Sequence, residues 1–526
     1  MTQASANSAL PAWLEPLANE PEDGWLAQGR ALALRGDMAR ALEVFLRGAA
    51  RFPRSAELQL GLAGLYWQTG RGPEAEALLD AWLATHPGDV GATFLRVQMH
   101  REHGHLQAAG RAMRRLFEQA AHDADTVIRA VEMLDDYGLA QDAADICEAA
   151  IAAGSSDPRL HAYAGMLAIQ LGQFDRVRER YGYALQHAPE AVDWNIPLGL
   201  AGLQRYTDPE HPDLAFFREL LARPTLGEHT RRSVLFALGK AYDDLGDYGN
   251  AVKALRQANA LAHAASRWSR KGWKRSIEAR LAAPLPSLAL APPGDWTPVF
   301  VVGMPRSGTT LLAELLARHA GVCNRGELGW LEVVEQRVMA SSTLDRAALQ
   351  EAATQYERQL RQGDTRSRWF IDKQPLNLLR VDLIMTLWPN ARVIHCERDA
   401  RDTALSLWSQ SFHDAAHDYA YDLGDIAVVS QGCGRMAAHW RKRYPDAFRS
   451  VGYEALVNAP EATVQALAQW LGLGDTRPAA ATAAATRIST ASAWQARQPV
   501  YTRSAGRWHH YAPSLPELLA IPQHHP

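Results

Sequence analysis

The chain has 526 residues, which is too many for one hydrophobic core and corresponds to roughly three or four domains, or to one repeat array followed by a domain. Its 55 Lys and Arg residues nearly balance its 58 Asp and Glu residues. The net charge of -3 excludes a global positive field that would attract nucleic acid or an anionic membrane, so any anion must be bound by a local site.

Cysteine usage and hydropathy predict a cytoplasmic protein. The four cysteines are scattered and form no CxxC pair, which argues against a disulfide framework or a zinc knuckle and favours a reducing compartment. The first residues are acidic and lack the basic and apolar stretches of a secretory signal. No apolar run approaches the ~20 residues that span a bilayer, so we expect no membrane association.

The first half of the chain is predicted to form helical hairpins, because apolar residues recur at i, i+3 and i+4 and the helical pattern breaks at glycines. Five of these glycines lie 34 residues apart, and a sixth lies 74 residues further on, which is two periods plus six residues: Gly36, Gly70, Gly104, Gly138, Gly172 and Gly246. The excess predicts an insertion near 205–212. Small residues stand five positions after most of these glycines, where they allow two helices to approach closely: Ala41, Ala75, Ala109, Ala143 and Ala251.

This period resembles the tetratricopeptide repeat over roughly residues 22 to 265, although Val177 departs from the alanine pattern. We predict an all-α superhelix over 12–270. Stacked repeats form a concave face, which favours capture of a peptide or protein substrate or partner. A spacer, or an arm that forms a homodimer, is the alternative interpretation.

A Pro-rich stretch at 283–295 breaks the helical pattern, and we predict a linker over 271–296. From 297 to 526, short apolar runs alternate with helical segments. The predicted strands are 298–302, 369–371, 392–396 and 448–451. This alternation predicts an α/β, P-loop-like domain whose parallel sheet is covered on both faces and binds a ligand at the carboxyl ends of its strands.

The segment after the first predicted strand carries the strongest site signal. It reads Gly303-Met-Pro-Arg306-Ser-Gly308-Thr-Thr and opens a helix, so backbone N–H groups and the helix N-terminus converge on one anion. The glycine spacing matches the Walker A loop, but Thr309 stands where that loop has its lysine, which disfavours phosphoryl transfer from ATP. Arg306 supplies the cation instead. A plain Gly/Ser-rich turn is the alternative.

A second candidate phosphate site lies where the predicted strand 392–396 ends. Arg398 follows that strand, and Ser406 lies eight residues later on the next helix, where its hydroxyl can point back toward the strand end. An arginine fork with a hydroxyl suits a phosphate, although an Arg-Asp pair near a helix start is also typical of a cap with a surface ion pair. Two phosphate sites at adjacent strand ends suit a nucleotide that carries phosphates at both its 5' and 3' positions.

Residues 298 to about 511 resemble the sulfotransferases that use 3'-phosphoadenosine 5'-phosphosulfate (PAPS), especially the tyrosylprotein sulfotransferase-like branch that is fused to tetratricopeptide repeats. The resemblance implies that Arg398 and Ser406 hold the 3'-phosphate of the donor. It also implies that the turn holds the 5'-phosphosulfate through Arg306, Ser307, Gly308, Thr309 and Thr310. PAPS would be the co-substrate and 3',5'-adenosine bisphosphate the product, with no metal required.

The same resemblance implies further roles near the transferred group. Glu327 matches the catalytic base, Lys373 the lysine that stabilises charge on the transferring or leaving group, and Ser492 the serine that assists this lysine. A solvated loop carboxylate is the alternative for Glu327, and an ion pair with Asp372 is the alternative for Lys373. The remaining predicted nucleotide contacts are Tyr453, Arg497, Tyr501 and Arg507.

The sequence leaves the acceptor open among a peptide or protein tyrosine, a carbohydrate and a small molecule. Protein-tyrosine members of the family carry an arginine two residues after the base, where this chain has Gly329. A P-loop kinase and a catalytically inactive repeat scaffold are the alternatives to a sulfotransferase. His413 and His417 have the spacing of a zinc site but no third ligand nearby, so we predict an exposed helix end there.

Overall fold

The structure is a computed structural model and describes residues 10–282, 290–292, 294–340, 346–364, 366–412, 414–473 and 502–523. The chain divides into two compact units, residues 1–155 and 156–526. The predicted Ser492, Arg497 and Tyr501, together with His413, lie outside the described residues.

The described part of the first unit consists mainly of helices that pair in succession into hairpins. They are α1 (Glu22–Leu34), α2 (Met38–Arg51), α3 (Ala56–Gln68), α4 (Gly72–Thr85), α5 (Val90–Glu102), α6 (Leu106–Gln119), α7 (Ala124–Asp136) and α8 (Ala140–Ala152). Short polar side chains begin several of these helices, because the first helical N–H groups have no partner within the helix. Asp37, Ser55, Asp89 and Asp123 each accept a hydrogen bond from the backbone N–H three residues later.

The periodic glycines all adopt the left-handed backbone conformation at the turn between two paired helices. Their φ angles fall between 73° and 83° at Gly36, Gly70, Gly104, Gly138, Gly172 and Gly246. A residue with a Cβ atom is strained in this conformation, which explains why glycine recurs with the repeat period. The predicted class of helical repeats is confirmed.

The second unit begins with helices that continue the hairpin pattern. They are α9 (Pro158–Leu171), α10 (Phe174–His187), α11 (Ile196–Ala201), α12 (Pro212–Ala222), α13 (Glu228–Asp244), α14 (Tyr248–Ala265) and α15 (Arg270–Ala282). A loop at 202–211 separates α11 from α12, in the region of the predicted insertion. Helix α15 begins one residue before the predicted linker at 271–296 and covers its first part, and its Ile277 is buried in the core of this unit.

The second unit also contains a five-stranded sheet in which every neighbouring pair of strands is parallel. The strands are β1 (Thr297–Gly303), β2 (Val322–Asn324), β3 (Trp369–Asp372), β4 (Arg392–Glu397) and β5 (Phe448–Gly452), in the spatial order β2-β3-β1-β4-β5. The predicted α/β class with a parallel sheet is confirmed. The three-residue strand β2 was missing from the prediction.

Helices cover both faces of this sheet, and β1 is buried on both of them from Pro298 to Gly303. Phe300 and Val302 pack into one buried cluster, whereas Val299 and Val301 point to the opposite face and pack into another. The helices that follow the strands are α16 (Thr309–Leu316), α17 (Trp330–Ala340), α18 (Arg346–Arg361), α19 (Val381–Leu387), α20 (Ala400–Trp408), α21 (Leu423–Arg443), α22 (Tyr453–Asn458), α23 (Pro460–Leu471) and α24 (Trp508–Tyr511). Within the described ranges, no helix is long and apolar enough to cross a membrane.

The repeat glycines provide a test of the backbone argument. At Gly70 the φ angle is 78° and an added Cβ atom would meet nothing within 4 Å, so Gly70→Ala should cost about 1 kcal/mol through backbone strain alone. Gly64 has the same open surroundings but lies inside α3, so Gly64→Ala should stabilise the protein by about 0.5 kcal/mol. Urea unfolding of both variants, followed by far-UV circular dichroism, measures these changes. Equal effects of the two substitutions would contradict the left-handed assignment at Gly70.

Candidate active site

Each strand of the sheet is followed by a part of the site that the sequence predicts. Because all strands are parallel, their carboxyl ends lie at one edge of the sheet. In sheet order, β2 is followed by Glu327, β3 by Lys373, β1 by the turn 304–308, β4 by Arg398 and β5 by Tyr453. The fold therefore brings these five features together along one edge.

The turn between β1 and α16 has the shape of an anion-binding loop. Arg306 adopts the left-handed conformation with a φ angle of 71°, and Gly308 does so with a φ angle of 98°. These rotations bring the chain into the first turn of α16, which no described side chain caps. The hydroxyl of Ser307 donates to the Met304 carbonyl at 2.7 Å and holds the turn closed. The N–H of Ser307 donates to the same carbonyl at 3.2 Å, so the uncapped first turn of α16, with the positive end of the helix, is the part that is available for one anion.

Gly308 lies directly against the ring of Tyr453. A Cβ atom at position 308 would lie 2.5 Å from Cδ2 of Tyr453, closer than real Cβ contacts come. The turn can approach β5 only because position 308 is a glycine in the left-handed conformation. The sequence predicts a nucleotide contact at Tyr453, and the ring of this residue packs directly against the turn.

The end of β4 adds a second cation to the turn. Arg398 donates to the carbonyl of Arg306 at 2.9 Å and to the carbonyl of Ser504 at 2.6 Å, and its guanidinium lies 4.5 Å from the centroid of the Tyr453 ring. The Nε atom of Arg398 is buried, and within the described residues it has no hydrogen-bond partner. Such a donor suits a phosphate oxygen.

Ser406 links the two predicted phosphate sites. It lies on α20, is buried, and its Oγ atom accepts a hydrogen bond from Nε of Arg306 at 3.0 Å. The sequence predicts that this hydroxyl points back toward the end of β4. The observed bond joins it to the turn, so Arg306, Arg398 and Ser406 form one polar cluster.

Glu327 and Lys373 form an ion pair on the other side of the turn. The Nζ atom of Lys373 donates to Oε1 of Glu327, and the Lys373 side chain is 3% exposed whereas that of Glu327 is 33% exposed. The backbone fixes both residues, since the N–H of Lys373 donates to the carbonyl of Gly326 at 2.8 Å. Lys373 thus pairs with Glu327, and not with Asp372 as the alternative interpretation had it.

Asp372 instead organises the end of β3, a role that the sequence analysis missed. Tyr356 donates its hydroxyl to Oδ2 of Asp372, Asn377 donates to the same atom at 3.0 Å, and the N–H of Leu328 donates to Oδ1 at 3.3 Å. Burial raises the pKa of Asp372 to about 7, although the bond from Tyr356 acts in the opposite direction. This network ties the loop that carries Glu327 to the strand that carries Lys373.

Arg507, which the sequence predicts as a nucleotide ligand, forms an ion pair with the end of α13. Its Nη2 atom is 2.7 Å from Oδ2 of Asp243, at the end of α13, and 3.4 Å from the hydroxyl of Tyr511. The segment 502–511 nevertheless approaches the site, because the Ser504 carbonyl accepts from Arg398. No sequence signal marks Asp243, which is 264 residues away from Arg507 in the chain.

His417 is half-buried, which corrects the predicted exposed helix end. Its ring stacks on Phe412 with centroids 4.9 Å apart, and this stacking removes it from solvent. Burial lowers the pKa of His417, and the carboxylates of Asp414 and Glu327 oppose that shift. The described residues contain no group of three or more His, Cys, Asp or Glu side chains that could hold a metal ion.

Two families match different parts of the chain. Residues 298–477 match the sulfotransferase family, and residues 32–92 and 233–262 match the tetratricopeptide repeat. The chain therefore carries a sulfotransferase domain behind N-terminal tetratricopeptide repeats, and a domain of this family supports a transferase.

Proteins of known sequence or structure are similar to the whole chain or to one part of it. An uncharacterized protein of Aquifex aeolicus (strain VF5) is 26% identical over 546 residues, covering 96% of this chain and 70% of the relative. A putative protein-tyrosine sulfotransferase of Caenorhabditis briggsae is 26% identical over 184 residues, which cover 33% of this chain and 65% of that relative. The sulfotransferase domain from the Synechococcus PCC 7002 olefin synthase is 20% identical, covering 42% of this chain and 90% of that domain with a TM-score of 0.31. A tetratricopeptide repeat protein from Parabacteroides merdae is 14% identical, and the match covers 48% of this chain and 96% of that protein with a TM-score of 0.28.

The contact between Gly308 and Tyr453 predicts a loss of anion binding when position 308 gains a side chain. Gly308→Ala should weaken binding of 3',5'-adenosine bisphosphate by roughly tenfold or more, because relief of the clash moves the turn or the tyrosine ring. The matched control is Gly452→Ala, next to Tyr453, where the φ angle is -75° and the Cβ atom would meet nothing within 4 Å. Calorimetric titration should give the control the wild-type affinity. If the wild type, Gly308→Ala and Gly452→Ala bound the bisphosphate with equal affinity, the turn would not be part of the binding site.

Proposed function

We propose that this chain transfers a sulfuryl group from PAPS to a hydroxyl acceptor. The observation that carries the proposal is the order of groups along the sheet edge. The pair of Glu327 and Lys373 follows β2 and β3, and the anion-binding turn follows β1, which pairs directly with β3. A base, a cation and an oxyanion cradle on neighbouring strands are the groups that an in-line transfer requires.

The donor would be held at its two phosphorylated ends. The turn residues Arg306 to Thr310 would bind the 5'-phosphosulfate through backbone N–H groups, the start of α16 and the Arg306 guanidinium. Arg398 and Ser406 would bind the 3'-phosphate. Their bonds to the Arg306 main chain and side chain would couple the two ends, so that donors lacking the 3'-phosphate bind more weakly.

The chemical step would use Glu327 as the general base. Its carboxylate accepts the proton of the acceptor hydroxyl while that oxygen attacks sulfur, forming one S–O bond as the bond to the bridging oxygen of the 5'-phosphate breaks. The electron pair of the broken bond stays on the phosphate of 3',5'-adenosine bisphosphate. Lys373 would stabilise the negative charge that develops there, for which Nζ leaves its ion pair with Glu327. Ser492 would assist Lys373.

One donor is proposed, but several kinds of hydroxyl acceptor fit the observations. The Caenorhabditis briggsae relative is described as a putative protein-tyrosine sulfotransferase, which favours a peptide or protein tyrosine. Gly329 stands where protein-tyrosine members of the family carry an arginine for acidic substrates. We therefore keep carbohydrate and small-molecule hydroxyls as acceptors as well. The repeats would recruit the substrate or a separate protein partner, and a location in the cytoplasm suits an enzyme of this kind.

The role of Glu327 can be separated from donor binding. Glu327→Ala should lower kcat by about 100-fold or more and leave the affinity for 3',5'-adenosine bisphosphate nearly unchanged, because the base acts on the acceptor. The control is Glu332→Ala, which removes a glutamate that is 60% exposed and pairs with Arg380. Transfer from labelled PAPS to an acceptor found by mass spectrometry of a cell extract measures the rate. A Glu327→Ala variant with the wild-type rate would rule out this residue as the base.

Arg398 should show the opposite behaviour. Arg398→Ala should weaken binding of 3',5'-adenosine bisphosphate by about 10- to 100-fold, since a charged hydrogen bond to phosphate is lost. Calorimetry with this nucleotide and, separately, with ATP and Mg²⁺ distinguishes a sulfotransferase from a P-loop kinase. Tighter binding of ATP with Mg²⁺ than of the bisphosphate would contradict the proposed function.

A further inference from the structure

The segment 502–511 is held from one side by the last described hairpin of the repeats. Asp243, at the end of α13, accepts from Nη2 of Arg507 at 2.7 Å and from the hydroxyl of Tyr511 at 2.5 Å. The ring of Tyr248, at the start of α14, stacks on His510 and lies 5.0 Å from the ring of Tyr511. Both oxygens of the Asp243 carboxylate are thus committed to this segment.

The sulfotransferase domain holds the same segment from the other side. Asp402, on α20, accepts from the N–H of Gly506 at 2.6 Å and from the N–H of Trp508 at 2.9 Å. Burial raises the pKa of Asp402, and the N–H bond from Trp508 opposes that shift. The guanidinium of Arg401 lies 4.6 Å from the Trp508 ring. The segment is therefore bound to two elements that are far apart in sequence.

Between these two anchors the segment meets the donor site. The carbonyl of Ser504 accepts from Nη2 of Arg398 at 2.6 Å, and Arg398 also holds the main chain of the anion-binding turn. The position of this carbonyl sets the direction of the Arg398 guanidinium. Asp243 is connected to Arg398 through only a few residues of backbone.

We propose that Asp243 is a positioning residue of the donor site, by which the last repeat hairpin orients Arg398 for the 3'-phosphate. The proposal rests on the proposed function. It gives the repeats a part in donor recognition besides recruitment of a partner. Asp243 acts through Arg507 and Tyr511, so it affects the 3'-phosphate without touching the nucleotide.

The test compares two nucleotides that differ only in the 3'-phosphate. Calorimetric titration of the full chain with 3',5'-adenosine bisphosphate and with 5'-AMP gives a ratio of affinities, which should favour the bisphosphate by at least about tenfold in the wild type. Asp243→Asn should reduce that ratio by roughly fivefold to tenfold and leave the affinity for 5'-AMP unchanged, because an amide cannot accept both donors as the carboxylate does. A loss of overall stability alone would weaken the binding of both nucleotides and leave the ratio unchanged.

Arg256→Ala is the matched control. Arg256, on α14, pairs with Glu517 at 2.7 Å, so it joins the same hairpin to the residues after the segment, but both side chains are nearly half exposed. Its loss should leave the ratio at the wild-type value. Tyr511→Phe removes only one of the two bonds to Asp243 and should give a smaller decrease in the ratio, which keeps the test available if Asp243→Asn does not fold.

The outcomes separate this inference from the proposed function. A wild-type chain that shows no preference for the bisphosphate overturns the proposed function itself. A wild-type preference that survives both Asp243→Asn and Tyr511→Phe overturns only the role of Asp243. A preference lost equally in Arg256→Ala would show that general docking of the hairpin, and not Asp243, is responsible.

Discussion

The parallel sheet is the constraint on which the candidate site depends. Because every strand runs in the same direction, residues from five distant parts of the chain leave the sheet at one edge. The central position of β1 then puts the anion-binding turn between the Glu327–Lys373 pair and Arg398. A different strand order would keep the same motifs and separate the base from the phosphate cradle.

Buried charge near the turn is organised so that each ionised group has partners. Lys373 is almost fully buried, which is costly for an ammonium unless an anion is close, and Glu327 supplies that anion. Asp372 is also buried but bonds to Tyr356, Asn377 and a backbone N–H. This division leaves Lys373 joined to a carboxylate that is one-third exposed, whereas Asp372 is held by three donors of its own. A lysine locked against Asp372 could not reach a leaving group.

The sequence predicted those features that depend on local geometry. The recurring glycines mark left-handed turns, so the helical hairpins followed from their spacing, and the four longer strands followed from apolar runs. Strand β2 was missed because its three residues are only partly buried and carry no apolar run. Its absence did not affect the prediction of Glu327, which came from family resemblance, but the physical reason for the position of Glu327 appears only when β2 is paired with β3.

Side-chain contacts between residues far apart in the chain could not be predicted from the sequence. Nothing near Arg507 indicates that its partner is Asp243, and the resemblance alone made it a nucleotide ligand. The network around Asp372 is similar, since Tyr356 lies on a helix with an ordinary amphipathic pattern. Such contacts depend on how complete elements pack, and periodicity or spacing does not encode them.

The contacts of the segment 502–511 also bear on why the repeats and the sulfotransferase domain occur in one chain. The segment buries Trp508 and Tyr511 in the core of the second unit, and carboxylates on α13 and α20 accept its hydrogen bonds. Closing a loop between such distant anchors costs conformational entropy, which the bonds from both sides must offset. The Ser504 carbonyl lies between these two anchors, where it accepts from Arg398. Helices α9 to α14 and the sheet accordingly belong to one compact unit, which begins at residue 156.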